Sequence, residues 1–156
     1  MKTHLLAIGK LRPYYRAAAD EYLRRLRHYG PVEERELREA GRAASAGARR
    51  REESARLAAA VPAGATVVLL DREGTGWTSE ELARQLNRWR EASATPALVI
   101  GGAFGVDAET LGPVRRRWSL GPLTLPHELA RVVVLEQWYR AWTILRGEPY
   151  HKGGAT

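Results

Sequence analysis

Pro96-Ala97-Leu98-Val99-Ile100-Gly101-Gly102 decides the fold. Five residues of a run with no polar alternation stop at two glycines, the pattern of a strand buried on both faces of a parallel sheet. Thr66-Val67-Val68-Leu69-Leu70 reads the same way, and Thr3 to Ile8 is a third apolar strand, closed by Gly9. Helical stretches separate them. Pro13 opens one that runs to Tyr29, where Gly30-Pro31 stops it. Ala48 to Val61 is a charged, Ala-rich helix. Thr78 and Glu81 form a capping box ahead of Leu82, Leu86 and Trp89, which share a helix face. Val32 to Arg38 is charged enough to serve as an edge strand, and Gly41 to Gly47 is a Gly/Ala/Ser-rich loop. Beyond Ile100, Asp107 caps a short helix to Arg117, Ser119-Leu120 leads into Gly121-Pro122-Leu123-Thr124-Leu125, and nothing breaks a helix from Pro126 to Arg146. Strands alternating with helices define an α/β fold with a mainly parallel sheet flanked by helices. The 156 residues make one domain, 1–156.

Composition removes several chemistries. With no cysteine there is no disulfide scaffold, thiolate zinc site, iron–sulfur cluster or cysteine nucleophile. Four scattered histidines without a His-x-x-x-His pair argue against any metal. The longest apolar run, Ala65 to Leu70, is too short to span a bilayer, and the N-terminus has no signal-peptide pattern, so a cytoplasmic protein away from any membrane is expected. Lys plus Arg exceeds Asp plus Glu by 25 to 18, a net charge of +7 that favours a polyanionic partner. All but three of those cations are arginine. That bias fits a GC-rich genome or a heat-adapted surface as well as it fits nucleic acid.

Ligands of open α/β sheets bind beyond the carboxyl ends of the strands. Three stretches qualify: Leu70-Asp71 to Gly76, Gly101 to Gly105, and Leu120 to Leu125. The glycines of the second are not in the Gly-x-Gly-x-x-Gly spacing of dinucleotide sites, and no Gly-Lys-Ser/Thr makes a P-loop. They read as a ligand-binding turn or simply as a tight one. On the last helix His127 and Arg131 share a face, as do Glu136 and Arg140. An ion pair within so apolar a helix belongs at an interface or cleft. Trp138 and Trp142, at helical spacing, read as core or as a dimer interface.

Ile100-Gly101-Gly102-Ala103-Phe104-Gly105, Leu123-Thr124-Leu125-Pro126-His127 and Glu136-Gln137-Trp138-Tyr139-Arg140-Ala141, in that order and spacing, resemble the RlmH family of large-subunit rRNA pseudouridine N3-methyltransferases, of the SPOUT class. The likeness runs nearly end to end, from Met1-Lys2 to Pro149-Tyr150-His151-Lys152, with Gly153-Gly154-Ala155-Thr156 extending past the family's usual end. The resemblance implies a C-terminal deep trefoil knot, against the general rarity of knots. It implies S-adenosylmethionine held mostly by backbone at Leu70, Gly101, Leu120, Gly121, Pro122, Leu123, Thr124 and Leu125. Pro122 departs from the family's pattern and lacks an N–H to donate. A homodimer through the C-terminal helix is also implied, and would account for Trp138 and Trp142 better than a monomer core. The substrate would be a 23S rRNA stem-loop on the assembled ribosome. Arg140 and Arg131 are then the candidates to stabilise charge on the reacting base, and His151 or His127 the proton acceptor. Two other readings remain: a ribosome-binding knotted dimer without activity, and an unknotted flavodoxin-like nucleotide-binding protein.

Overall fold

The uninterrupted apolar strands are explained by two cores, one on each face of a single sheet. The computed structural model describes residues 1–42 and 44–151, so Lys152 and the Gly153–Thr156 tail lie outside the described residues. Five strands, β1 (Thr3–Ile8), β2 (Val32–Leu37), β3 (Thr66–Gly76), β4 (Pro96–Ile100) and β5 (Arg116–Ser119), pair in the order β2-β1-β4-β3-β5, every pair parallel. Between them run α1 (Pro13–Leu26), α2 (Ala46–Ala60), α3 (Ser79–Glu91) and α4 (Ala108–Leu111), and α5 (His127–Leu145) closes the chain. Leu5, Ala7, Val68, Leu98 and Ile100 enter the core beneath α1, α3 and α5. Their neighbours Leu6, Ile8, Val67, Leu69 and Val99 enter the second core, beneath α2 and α4. Period-two alternation between two apolar layers leaves no position for a polar residue.

Local signals set most boundaries. Thr78 and Glu81 complete the capping box at α3, and Leu82, Leu86 and Trp89 are buried. β4 and α5 lie where expected. Three expectations need correction. The helix after Asp107 ends at Leu111, because Gly112 turns to φ 87° and Pro113 cannot extend it; Arg116–Ser119 is strand instead. β3 does not end at Leu70. It continues to Gly76 through a register break in which Leu70 and Thr75 both face Trp118, so residues 71–74 bulge outward. Trp138 and Trp142 belong to this chain's own core, being 0% and 3% exposed, and do not form an intersubunit face.

Charged β2 finds its partners inside the fold. Glu34 and Glu36, two apart, point to the same side, where Arg16 of α1 and Arg131 of α5 meet them. Arg131 Nη1 donates to Glu36 at 2.6 Å and Glu34 at 3.2 Å, while Nη2 donates to the carbonyl of Gly9 at 2.8 Å. Arg16 adds contacts of 2.6 Å to Glu34 and 2.8 Å to Glu36. The Arg131 side chain is 1% exposed, so the expectation that it meets the substrate is overturned: its guanidinium is enclosed and its charge already spent on β2.

Removing this arginine leaves Glu34 and Glu36 to Arg16 alone and deprives the Gly9 carbonyl of its buried donor. Arg131→Ala is expected to lower the unfolding free energy by about 3 kcal/mol, read by denaturant titration. Burial pushes the Glu36 carboxyl up, but the hydrogen bond from Arg131 and the nearby charge of Arg16 outweigh it, leaving its pKa below the ordinary value. A depressed folded-state pKa stabilises at neutral pH and is lost as pH falls through it. The acid-side loss of stability should therefore be shallower in Arg131→Ala than in the native chain.

Candidate active site

The carboxyl ends of β3, β4 and β5 surround a cleft of about 360 Å³, within the range of small-molecule sites. Leu70, Gly101, Leu120, Gly121, Leu123, Thr124 and Leu125 line it, so seven of the eight residues named for the cofactor come together. Pro122 does not line it and is exposed, so its missing N–H costs the cleft nothing. Among the described residues, the backbone N–H groups of Leu123, Thr124 and Leu125 donate to no other group. They remain available to a ligand.

Glycine is required at Gly101 by space. A Cβ there would lie 2.7 Å from Val106 Cγ2 and 3.2 Å from the Gly105 carbonyl, because the chain folds back at once through a bridge between Gly102 and Gly105. α2 pins this turn from outside: Ser54 Oγ accepts the Asp107 N–H at 2.8 Å, and Arg49 lies 4.4 Å above the Phe104 ring. The cleft wall also includes Asp71 and Arg72, from the Leu70–Gly76 stretch that the strand-end reading offered, and Arg117 and Trp118, which residue patterns did not single out. These two were hidden because their segment read as the end of a helix and its exit. The Asp71 carboxyl is held below its usual pKa by the Glu73 N–H, against the effect of burial and with help from Arg117 at 2.7 Å.

The four residues named for chemistry separate. His127, at the start of α5, lines the cleft. Arg131 is buried beneath it. Arg140 and His151 meet elsewhere, in a network that is not part of the cleft wall. Arg140 grips Glu136 Oε1 with Nε and Nη2 at 2.9 and 2.6 Å, and its Nη1 lies 3.0 Å from His151 Nδ1. His151 Nε2 lies 2.8 Å from Glu80. Tyr150 donates to Glu136 at 3.1 Å and stacks beneath the Arg140 guanidinium. Burial opposes the charge of Arg140, but Glu136 more than compensates, so its pKa lies above the usual value. A guanidinium only donates, so Nδ1 of His151 is the acceptor and Nε2 carries the proton given to Glu80. Both ring nitrogens are thus occupied. The only imidazole hydrogen bonds among the described residues are these two, which leaves His127 with both nitrogens free.

Comparison with known proteins gives a consistent result. A family described as "Predicted SPOUT methyltransferase" matches residues 1–151. The chain is 48% identical to the ribosomal RNA large subunit methyltransferase H of Nitratidesulfovibrio vulgaris (strain DSM 19637 / Miyazaki F), over 94% of this chain and 96% of that protein. It is 46% identical to the protein of that name from Gemmatimonas aurantiaca and 42% identical to that of Pseudomonas aeruginosa (strain LESB58), in both cases over 97% of this chain and 100% of the relative. A cleft of free peptide groups at the carboxyl edge of a five-stranded parallel sheet, and relatives matched over nearly their whole length, lead to one conclusion: the chain belongs to the SPOUT methyltransferase family and, within it, to the ribosomal RNA large subunit methyltransferases H.

Proposed function

We propose that this chain methylates N3 of a pseudouridine in a stem-loop of 23S rRNA, on the assembled ribosome and hence in the cytoplasm. The observation that carries this reading is the cleft itself: Leu123, Thr124 and Leu125, whose peptide N–H groups donate to no other group among the described residues, line it together with a turn that a Cβ at Gly101 would fill and with a free imidazole, His127. Along Leu123–Leu125 the donors are neutral backbone, Arg117 in the wall is paired with Asp71, and no P-loop lysine is present to hold phosphates, which suits the nucleoside and amino-acid parts of S-adenosylmethionine. Bound there, S-adenosylmethionine supplies an electrophilic methyl group. The protein's work is to orient and desolvate. The peptide groups of Leu123 to Leu125 set the angle of the ligand, while Leu70, Trp118 and Leu120 exclude water. His127 accepts the proton of the imide nitrogen.

The chain is knotted in this reading. What supports it is the path of Leu120–Leu125. α4 approaches β5 on the α2 side of the sheet, whereas α5 packs against α1 and α3 on the other side. The connecting segment changes face at the cleft, against Leu70 and Gly101, instead of around the open edge of β5. A homodimer through α5 belongs to the same reading. Leu129, Ala130 and Val133 share a half-exposed face outside both cores, and Leu123 at the cleft stands 75% exposed. A second copy covering this face would bring its Arg140–His151 network to the first copy's cleft.

Four measurements test these assignments. Labelled methyl transfer is compared on ribosomes, on large subunits and on particles carrying uridine in place of the target pseudouridine; label on pseudouridine-containing rRNA alone is expected, and absence of label from all of them would sink the reading. Gly101→Ala should weaken S-adenosylmethionine binding about tenfold or more by calorimetry, whereas Arg140→Ala should bind it normally and lose turnover. If each site draws on both copies, mixing these two variants at an S-adenosylmethionine concentration too low to load Gly101→Ala should restore about a quarter of native activity through mixed dimers. Normal turnover in His127→Ala would show that His127 does not take the imide proton.

A further inference from the structure

One edge of the sheet is basic in a way that neither fold nor cleft explains. β5 is an edge strand, and Arg115, Arg116 and Arg117 run consecutively at its start, all exposed. Arg72 stands on the β3 bulge beside them, also exposed, and lines the cleft with Arg117. Arg117 is paired with Asp71, but among the described residues Arg72, Arg115 and Arg116 have no ion-pair partner. The three consecutive arginines wall a shallow basin of about 430 Å³, floored by Gly74, Thr75 and Val114, with Glu73 its one carboxylate. Basin and cleft share Arg117 as a common wall. Gly74 is needed there, because a Cβ would fall 2.6 Å from the Arg117 carbonyl; this tight contact fixes the bulge against the strand and sets Arg72 beside the arginine run.

We infer that this edge binds the sugar–phosphate backbone of the rRNA stem flanking the target base, an inference that rests on the methyltransferase reading above. Three arginines along an extended strand, about 3.3 Å apart per residue, present a line of donors and not an enclosed nest. A line suits a polyanion passing across it, whereas a small anion would need convergent donors. Side chains alternate along a strand, so Arg116 projects to one face of the sheet and Arg115 and Arg117 to the other. The edge therefore straddles a backbone crossing it. Its continuity with the cleft places phosphates of the stem next to the site where a base leaves its stack. These contacts position the RNA without reading its sequence. Glu73 weakens the surface locally.

The test uses the full-length protein, an RNA hairpin of arbitrary sequence, and ribosomes lacking the methyl group. Arg115→Ala with Arg116→Ala should reduce the salt dependence of hairpin binding by about two phosphates. It should also raise KM for ribosomes on the order of tenfold. Turnover at saturation, S-adenosylmethionine affinity and dimer sedimentation should not change. Glu73→Gln should move hairpin affinity the other way, tightening it about twofold. An unchanged salt slope and KM in the double variant would overturn the inference while leaving the enzyme reading intact, as would failure of the native protein to bind the hairpin at low salt. Dissociation of the double variant into monomers would reassign the edge to contact between copies and overturn it too. Native hairpin binding that the double variant loses, with no methyl transfer to any rRNA, would support the edge and sink the methyltransferase reading instead.

Discussion

Arg131 is the tie on which the rest of the architecture depends. From within α5 its guanidinium reaches the last turn of β1 through the Gly9 carbonyl and the charged strand β2 through Glu34 and Glu36. Without it, Arg16 alone would face the two carboxylates of β2, and the amino-terminal half of α5 would lose its one polar tie to the sheet. That register matters because Leu120–Leu125 is strung between β5 and α5, and the cleft is formed where it passes Gly101 and Leu70. A buried ion pair seldom adds net stability over an apolar alternative, and its best-attested use is to specify one arrangement. Here the arrangement specified is the one that positions the Leu120–Leu125 wall of the cleft.

The site divides its labour between rigid and adaptable parts. Gly101 is held by sterics and by α2, through Ser54 and Asp107. Leu123 to Leu125 offer backbone donors on a segment with few internal bonds of its own. Arg140 and His151 form a closed network in which every strong donor is satisfied by Glu136, Glu80 or the imidazole. Such a network has little free charge to offer a substrate. What Arg140 and His151 present together is a fixed, polar surface more than an isolated cation.

Sequence patterns read the centre of this fold well and its edges poorly. β4, the capping box of α3 and the bounds of α5 were legible because each carries a local cause: an unbroken apolar run, a Thr-x-x-Glu pair, a proline and a glycine. β5 was missed because four residues, half of them arginine, carry no strand periodicity; only pairing with β3 makes them a strand. The bulge at 71–74 was read as loop for a related reason, since extension to Gly76 depends on Trp118 lying opposite. Arg131 and Arg140 looked alike, one helix face apart, and only burial separates an internal tie from a surface group. The three segments of the cleft were legible from their place beyond the strand ends, but the positions within them for a cofactor came only from family resemblance, because backbone donors leave no signature in side-chain chemistry.

The same tie has a consequence for biosynthesis. Glu34 and Arg131 are 97 residues apart, and β1 pairs with β4, more than eighty residues downstream of it. At ordinary rates of translation, roughly 5 to 20 seconds pass between the emergence of β2's glutamates, which Arg16 already meets, and that of the second guanidinium that joins them. During that interval β1 and β2 can pair and take α2 against one face, while the opposite face waits for α3 and α5 and the second side of β1 waits for β4. The sheet therefore closes only late in synthesis, from a first pair of strands formed early.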